Sequence, residues 1–165
     1  MDRLFTIAIL TTLSFLFSCG GNTVHPLDDV EYNPHFVDVK IDHPGFPVMP
    51  VNPDNLLTEE GIALGRKLYY DPLMHPNNEH ACATCHQQQY SFSSDKTVLQ
   101  HINLGFDQVF LWKGDKTGSI EDIMLFEVEE FFGTNIEKLS KNEMYPTLFK
   151  RAFGVNEIET EHVAF

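Results

Sequence analysis

Apolar residues recur at helical spacing in three separate stretches of the chain. In LTEEGIALGRKLYYDP, residues 57 to 72, Thr58 is placed as an N-cap with Glu59 and Glu60 in the first turn. Ile62, Gly65, Leu68 and Tyr69 then fall on one stripe, which ends before Asp71-Pro72 and predicts a helix over 58 to 70. A second helix is predicted to start at Ser119, with Asp122 three residues on and Ile120, Ile123, Met124 and Val128 at helical spacing. A third runs from Tyr145 to Phe153, with Leu148, Phe149, Ala152 and Phe153 inward and Gly154 at the C-cap. Thr160 reads as one more N-cap before Val163, Ala164 and Phe165, a face too short to be stable alone. Nothing alternates long enough to predict a strand, and there is no internal repeat.

Upstream of residue 57 the pattern is different. Six of the nine prolines (Pro26, Pro34, Pro44, Pro47, Pro50 and Pro53) fall between Gly20 and Asn55. Each fixes φ and removes a donor, so HPGFPVMPVNP, residues 43 to 53, is predicted to be an extended arm. The arm is either a solvated linker or laid on the folded body; Phe46, Val48, Met49 and Val51 favour the second. Further upstream, LFTIAILTTLSFLF (4 to 17) is a continuous apolar run of 14 residues, shorter than the ~20 that span a bilayer. It reads as the core of a secretory signal. Leu16-Phe17-Ser18-Cys19, followed by Gly20-Gly21-Asn22, resembles the lipobox of bacterial lipoproteins. That resemblance implies a signal peptide over 1 to 18, acylation of Cys19, and a periplasmic or cell-envelope protein touching membrane only through its lipid.

With 42% hydrophobic and 21% charged residues in 165, the composition is that of a globular chain with a core. Eleven basic against 24 acidic residues leave a net charge of −13, which excludes nucleic acid and anionic lipid surfaces as partners and suits a basic protein. The charge therefore bears on partners and not on chemistry. Chemistry is carried by the cysteines: with Cys19 assigned to lipid, only Cys82 and Cys85 remain, and no pair is left over for a disulfide.

Those two stand in ACATCHQQQY, residues 81 to 90, as Cys-x-x-Cys-His. The pattern is the attachment signature of c-type haem, in which two cysteines three apart reach the two vinyl groups and the adjoining histidine, His86, sits under the iron. A redox dithiol belongs after a strand in a βαβ pattern, and a zinc site needs a second ligand pair; neither is present in the sequence. An iron held by one histidine leaves its sixth position to decide between electron carrier and oxidant-activating enzyme. Met124, Met144, His75, His80 and His101 are the candidates, and spacing does not choose between them.

LTEEGIALGRKLYYDP (57 to 72), ACATCHQQQYSFSSD (81 to 95), FLWKGDKTGSIED (110 to 122) and YPTLFKRAFG (145 to 154) occur in this order. Together they resemble the N-terminal half of bacterial di-haem cytochrome c peroxidases and their methylamine-utilisation relatives, over residues 57 to 165. The resemblance implies an all-α, cytochrome c-like haem domain over 57 to 165, preceded by a lipid-attached proline-rich arm over 19 to 56. It implies one covalent haem c on Cys82 and Cys85 with His86 on the metal. It also implies that His101, 15 residues beyond His86, is a distal ligand to the metal. Trp112 matches the tryptophan between the family's two haems, and a glutamate moves a proton between the peroxide oxygens. Within Glu-Val-Glu-Glu-Phe-Phe-Gly that glutamate falls at Glu130, with Glu129 second. Calcium is a further ion considered, and no residue pattern indicates it. The second Cys-x-x-Cys-His of the family is missing from the sequence, so the chain reads as a truncated first half.

The activity implied is reduction of hydrogen peroxide to water with electrons from a small cytochrome c. The alternatives are a mono-haem electron carrier and an inactive fragment.

Overall fold

The structure, a computed structural model, describes residues 25–38 and 45–165. The apolar run 4 to 17, Cys19 and Pro44 lie outside the described residues. Among the described residues, no helix is long and apolar enough to cross a membrane.

Helix α1, Glu59–Tyr70, begins where Thr58 Oγ1 accepts the Gly61 N–H at 2.9 Å, as its sequence predicts. It buries Leu64 and Leu68 and stops at Asp71, since Pro72 disfavours helical backbone in the residue before it. Asp71 then caps a single 3₁₀ turn, Pro72–Met74, by accepting the Leu73 N–H at 2.8 Å, which drives Met74 into the core. The turn of helix Cys82–Cys85 is α2. Helix α3, Ile120–Phe126, opens with the expected reciprocal cap: Ser119 N–H donates to Asp122 Oδ2 at 2.7 Å and Asp122 N–H to Ser119 Oγ at 3.2 Å. It runs on into a π turn over Glu127–Phe131, where Phe132 N–H reaches back five residues to the Glu127 carbonyl at 2.8 Å.

Helix α4, Ile136–Ser140, has no counterpart among the predicted elements; Asn135 Oδ1 caps it through Lys138 N–H at 3.2 Å. Helix α5, Tyr145–Phe153, has the predicted limits, and Gly154 closes it at φ 74°. Helix α6, Thr160–Ala164, is capped one residue earlier than expected, by Glu159, whose N–H donates to His162 Nδ1 at 3.1 Å.

The expectation of an all-α chain needs one correction. Val109–Phe110 (β1) pairs antiparallel with Lys116–Thr117 (β2), in register Val109 to Thr117 and Phe110 to Lys116. A two-residue strand has no alternation for a sequence pattern to display. The chain is otherwise mostly helical.

The core joins α1, α5, the π turn, α4 and α6. Tyr145, Phe149 and Leu139 are fully buried at its centre, with Leu64, Leu68 and Val128 around them. Burying a side chain of the size of Phe149 contributes about 2–3 kcal/mol. Tyr145 makes the junction specific: its hydroxyl donates to Asp71 Oδ2 at 2.6 Å, tying α5 to the end of α1.

The described N-terminal residues lie against this body. Phe36 forms an antiparallel bridge with Thr58, and Val37 N–H donates to the Leu57 carbonyl at 2.9 Å. His35 meets the first turn of α1 twice, through its N–H to Glu60 Oε2 at 3.0 Å and its Nδ1 to Glu60 Oε1 at 2.6 Å. Farther along, the Phe46 and Phe106 rings lie 5.4 Å apart.

Candidate haem site

The two cysteines share one helical turn for a local reason. Thr84 Oγ1 accepts the Ala81 N–H at 3.0 Å, and His86 N–H donates to the Cys82 carbonyl at 3.0 Å, closing the turn at both ends. Residues three apart on a helix face the same way, so both sulfurs line one cavity. Neither thiol is in a disulfide. Burial, with Glu127 and Cys85 nearby, pushes the Cys82 thiol up to about 11.

After His86 the chain doubles back. Gln87 bridges Ser93, and the loop between places Ser91 and Phe92 at φ 56° and 58°. Positive φ in a bulky residue such as phenylalanine costs about 1–2 kcal/mol. This backbone accompanies a specific polar arrangement: the Phe92 carbonyl accepts His101 N–H at 3.2 Å and lies 3.3 Å from His86 Nδ1. A carbonyl only accepts, so His86 Nδ1 carries the proton and Nε2 of the neutral ring keeps its lone pair. Burial holds the His86 pKa below its ordinary value, against the Phe92 and Leu99 backbone carbonyls that raise it, and so favours the neutral form. His86 is thus in the protonation state that ligates a metal, oriented by a backbone carbonyl as such ligands commonly are.

His101 is brought to His86 in an unexpected way. The rings are stacked face to face, centroids 3.4 Å apart and planes 14° from parallel. The structure thus places His101, expected as a distal ligand, at the side of His86, and both rings line the same cavity. The tie from His101 N–H to Phe92 is what draws it to that side. Tyr69, on α1, completes the group: its hydroxyl donates to the His86 carbonyl at 3.2 Å and lies 3.3 Å from His101 Nδ1. The hydroxyl has one proton, so His101 Nδ1–H donates to it. Burial and the neighbouring His86 depress the His101 pKa to about 4.

The cavity that Cys82, Cys85 and His86 line has a volume of about 420 Å³ and mostly apolar walls, among them Leu99, Leu104, Phe110, Ile123 and Met124. His75 and His80 also line it, and Met144 does not. Trp112 lies outside the lining, 68% exposed at the tip of the β1–β2 hairpin, although its neighbours Phe110 and Leu111 reach the cavity. Glu130 and Glu129 are exposed and also absent from the lining. The carboxylate that does line it is Glu127, half-buried, with burial raising its pKa. Helix phase explains the exchange: Ile120, Ile123, Met124, Glu127 and Phe131 share the inner face of α3 and the π turn, while Glu129 and Glu130 point away. Following the apolar spacing of α3 through the acidic run would have found Glu127. Among the described residues, no group of three or more His, Cys, Asp or Glu side chains converges as a separate metal site.

These residues fit a haem. One helical turn presents two cysteines to an apolar chamber, and the adjoining histidine is held with its ligating nitrogen unprotonated. A family model, di-haem cytochrome c peroxidase, matches residues 59–165.

The chain belongs to the di-haem cytochrome c peroxidase family.

Within this family it is similar to the methylamine utilization protein MauG of Methylorubrum extorquens, 29% identical over 129 residues, which are 66% of this chain and 36% of that protein. It is 26% identical over 133 residues to the protein of the same name from Methylophilus methylotrophus, covering 70% of this chain and 40% of the relative. A crystal structure of a MauG-like protein associated with microbial copper homeostasis superposes with a TM-score of 0.61 at 20% identity, over 77% of this chain and 45% of the other. The chain thus spans less than half the length of each of these relatives, and the likeness to the solved structure is one of fold.

Proposed function

We propose that the chain is the haem c-bearing part of a peroxidase that reduces hydrogen peroxide to water with electrons from a small cytochrome c. The observation that carries this reading is His86 on a Cys-x-x-Cys-His turn, fixed in its ligating tautomer by the Phe92 carbonyl, in an apolar cavity that also holds a carboxylate. Bound there by thioethers to Cys82 and Cys85, haem would supply an iron able to accept an oxidant and two electrons. The balance is one H₂O₂, two protons and two electrons giving two waters. Glu127 is the proton-handling group in this proposal, in place of Glu130: burial raises its pKa above that of an exposed carboxylate, which makes it the more ready of the two to pass a proton to the departing oxygen and be reprotonated from solvent. The apolar walls around it restrict water. Outside the cavity, the charge of −13 steers a basic electron donor toward the surface, and exposed Trp112 is the proposed point of electron entry.

The test is the absorption spectrum of the haem-loaded protein before and after one equivalent of hydrogen peroxide. A shift of the Soret band, reversed by reduced small cytochrome c, is the expected result. An unchanged low-spin spectrum would refute it and leave an electron carrier; Met124 in the cavity wall is the feature that favours that reading. The envelope location and acylation of Cys19 belong to the same proposal. Cys19→Ser is expected to release the protein from the membrane fraction, and retention would count against the anchor.

A further inference from the structure

One side of the cavity has hydrogen bonds that the reading above does not use. His75 lines the same cavity as His86, half-buried between the His80 ring, 5.3 Å away, and the Phe132 ring, 6.2 Å away. It follows the 3₁₀ turn Pro72–Met74, whose buried Met74 anchors it to the core. Its tautomer is the reverse of that of His86. Asn77 N–H lies 3.3 Å from His75 Nδ1, and a backbone N–H only donates, so Nδ1 is the acceptor and Nε2 of the neutral ring carries the proton. A nitrogen with a proton on it has no lone pair for iron, but it can donate a hydrogen bond.

The turn that fixes this tautomer is clamped from outside. Lys138, half-buried on α4, donates to the carbonyl of His75 at 3.0 Å, to the carbonyl of Pro76 at 3.1 Å and to Asn78 Oδ1. All three ammonium hydrogens are used on one four-residue turn, in which Asn78 is at φ 57° and its N–H returns to the His75 carbonyl at 3.0 Å. This concentration of acceptors around one lysine holds the backbone that presents the Asn77 N–H to the ring.

We infer that His75 is the hydrogen-bond donor of the haem cavity, selecting small anionic or oxygen-atom ligands at the iron, and that Lys138 is its positioning residue. The inference rests on the haem reading of the cavity. It removes His75 from the candidates for sixth ligand and gives it a part in choosing what enters. His80, exposed beside it, is braced against the ring without sharing this bonding.

Two measurements on the haem-loaded chain test this. In the ferrous carbon monoxide form, which is diamagnetic, ring-nitrogen shifts of ¹⁵N-histidine-labelled protein are expected to report the Nε2–H tautomer for His75. The Nδ1–H tautomer would overturn the inference, and this measurement needs no substitution that could disturb folding. Ferric fluoride binding depends on a donor, and imidazole binding does not. His75→Leu is expected to weaken fluoride about tenfold or more while leaving imidazole within about twofold, as loss of one hydrogen bond to a charged acceptor predicts. His75→Gln, which keeps a donor, is expected to recover most of the difference, and Lys138→Met to show a smaller loss confined to fluoride. Equal fluoride affinity in His75→Leu and the parent would overturn the role of His75 while leaving the peroxidase reading intact. A parent protein that takes up neither ligand would overturn both.

Discussion

Tyr69→Phe is a sharp test of how the histidine pair is held, because it deletes one oxygen atom and leaves the ring. That oxygen stands between the His86 carbonyl at 3.2 Å and His101 Nδ1 at 3.3 Å, both at the long end of hydrogen-bond range. A neutral bond of ordinary geometry contributes about 1 kcal/mol, so these two contribute somewhat less each. The larger cost is on the side left behind: His101 Nδ1–H loses its acceptor in a half-buried place, for which about 1–3 kcal/mol is usual. The phenyl ring keeps its edge contacts with Phe92 and His101 and offsets part of this. The net expectation is a loss of about 1–2 kcal/mol, and at about 2–4 °C per kcal/mol for a chain of this length the melting midpoint falls by roughly 2–8 °C. Tyr70→Phe is the matched control. Its hydroxyl reaches only Gln88 Oε1, at 3.3 Å on the exposed surface, and should move stability by less than about 0.5 kcal/mol. Urea unfolding of the three proteins at pH 7 measures the difference. Equal midpoints for the two variants would refute the claim that Tyr69 holds the pair together.

Three further outcomes follow from other parts of the molecule. Gly118 sits at φ 141°, and a Cβ there would run into Asp122 Oδ2, the acceptor in the cap of α3, so Gly118→Ala is expected to cost about 1–3 kcal/mol in urea unfolding; a cost under about 0.5 kcal/mol would show that the cap is not strained by it. Glu127 has a folded pKa raised by burial, so the folded state binds the extra proton and stability falls as pH rises from 4.5 through the folded value. Glu127→Gln should therefore gain melting temperature over the parent above that window and lose the advantage below it, and a pH-independent difference would contradict the assignment. His35 is raised by its hydrogen bond to Glu60, so its contribution is complete below 6.5 and is lost as pH rises through the folded value. Hydrogen-exchange protection of the Val37 N–H, bonded to Leu57, should drop across that range in the parent and be low throughout in His35→Ala; a parent profile independent of pH would refute the clasp.

What was legible in the sequence was whatever local chemistry decides. Thr58, Ser119 with Asp122, and Gly154 mark helix ends because a cap is a contact within a few residues, and all three act as read. The helix Ile136–Ser140 gives little signal because Ile136 and Leu139 supply only one apolar spacing, too little to stand out from the polar residues around them. Glu127 differs from Glu129 and Glu130 only in its phase with the helix preceding it, which the bare order of an acidic run does not display. The stacking of His101 on His86 could not be read at all. It depends on a loop whose left-handed residues, Ser91 and Phe92, are neither glycine nor asparagine and so give no signal.

The same loop shows why the Cys-x-x-Cys-His motif does not contain its own chemistry. The motif supplies two sulfurs on one face and an imidazole beside them, but either ring nitrogen of a neutral histidine can hold the proton, and only one choice leaves Nε2 free. Phe92, six residues along, bears on that choice: a backbone conformation costing about 1–2 kcal/mol accompanies a carbonyl facing His86 Nδ1. Across the cavity wall the opposite tautomer is imposed on His75 by a backbone N–H in place of a carbonyl. Two histidines of the same intrinsic chemistry thus meet opposite kinds of main-chain group at Nδ1, an acceptor at His86 and a donor at His75. Phe92→Gly therefore separates strain from function. Glycine adopts the positive φ without cost and should keep the carbonyl in place, so the variant is expected to retain His86 in the Nδ1–H tautomer by ring-nitrogen shifts. Phe92→Pro cannot adopt positive φ, and should lose both that tautomer and the bond to His101 N–H. Retention of the tautomer in the proline variant would mean that something other than this carbonyl sets the ligating nitrogen.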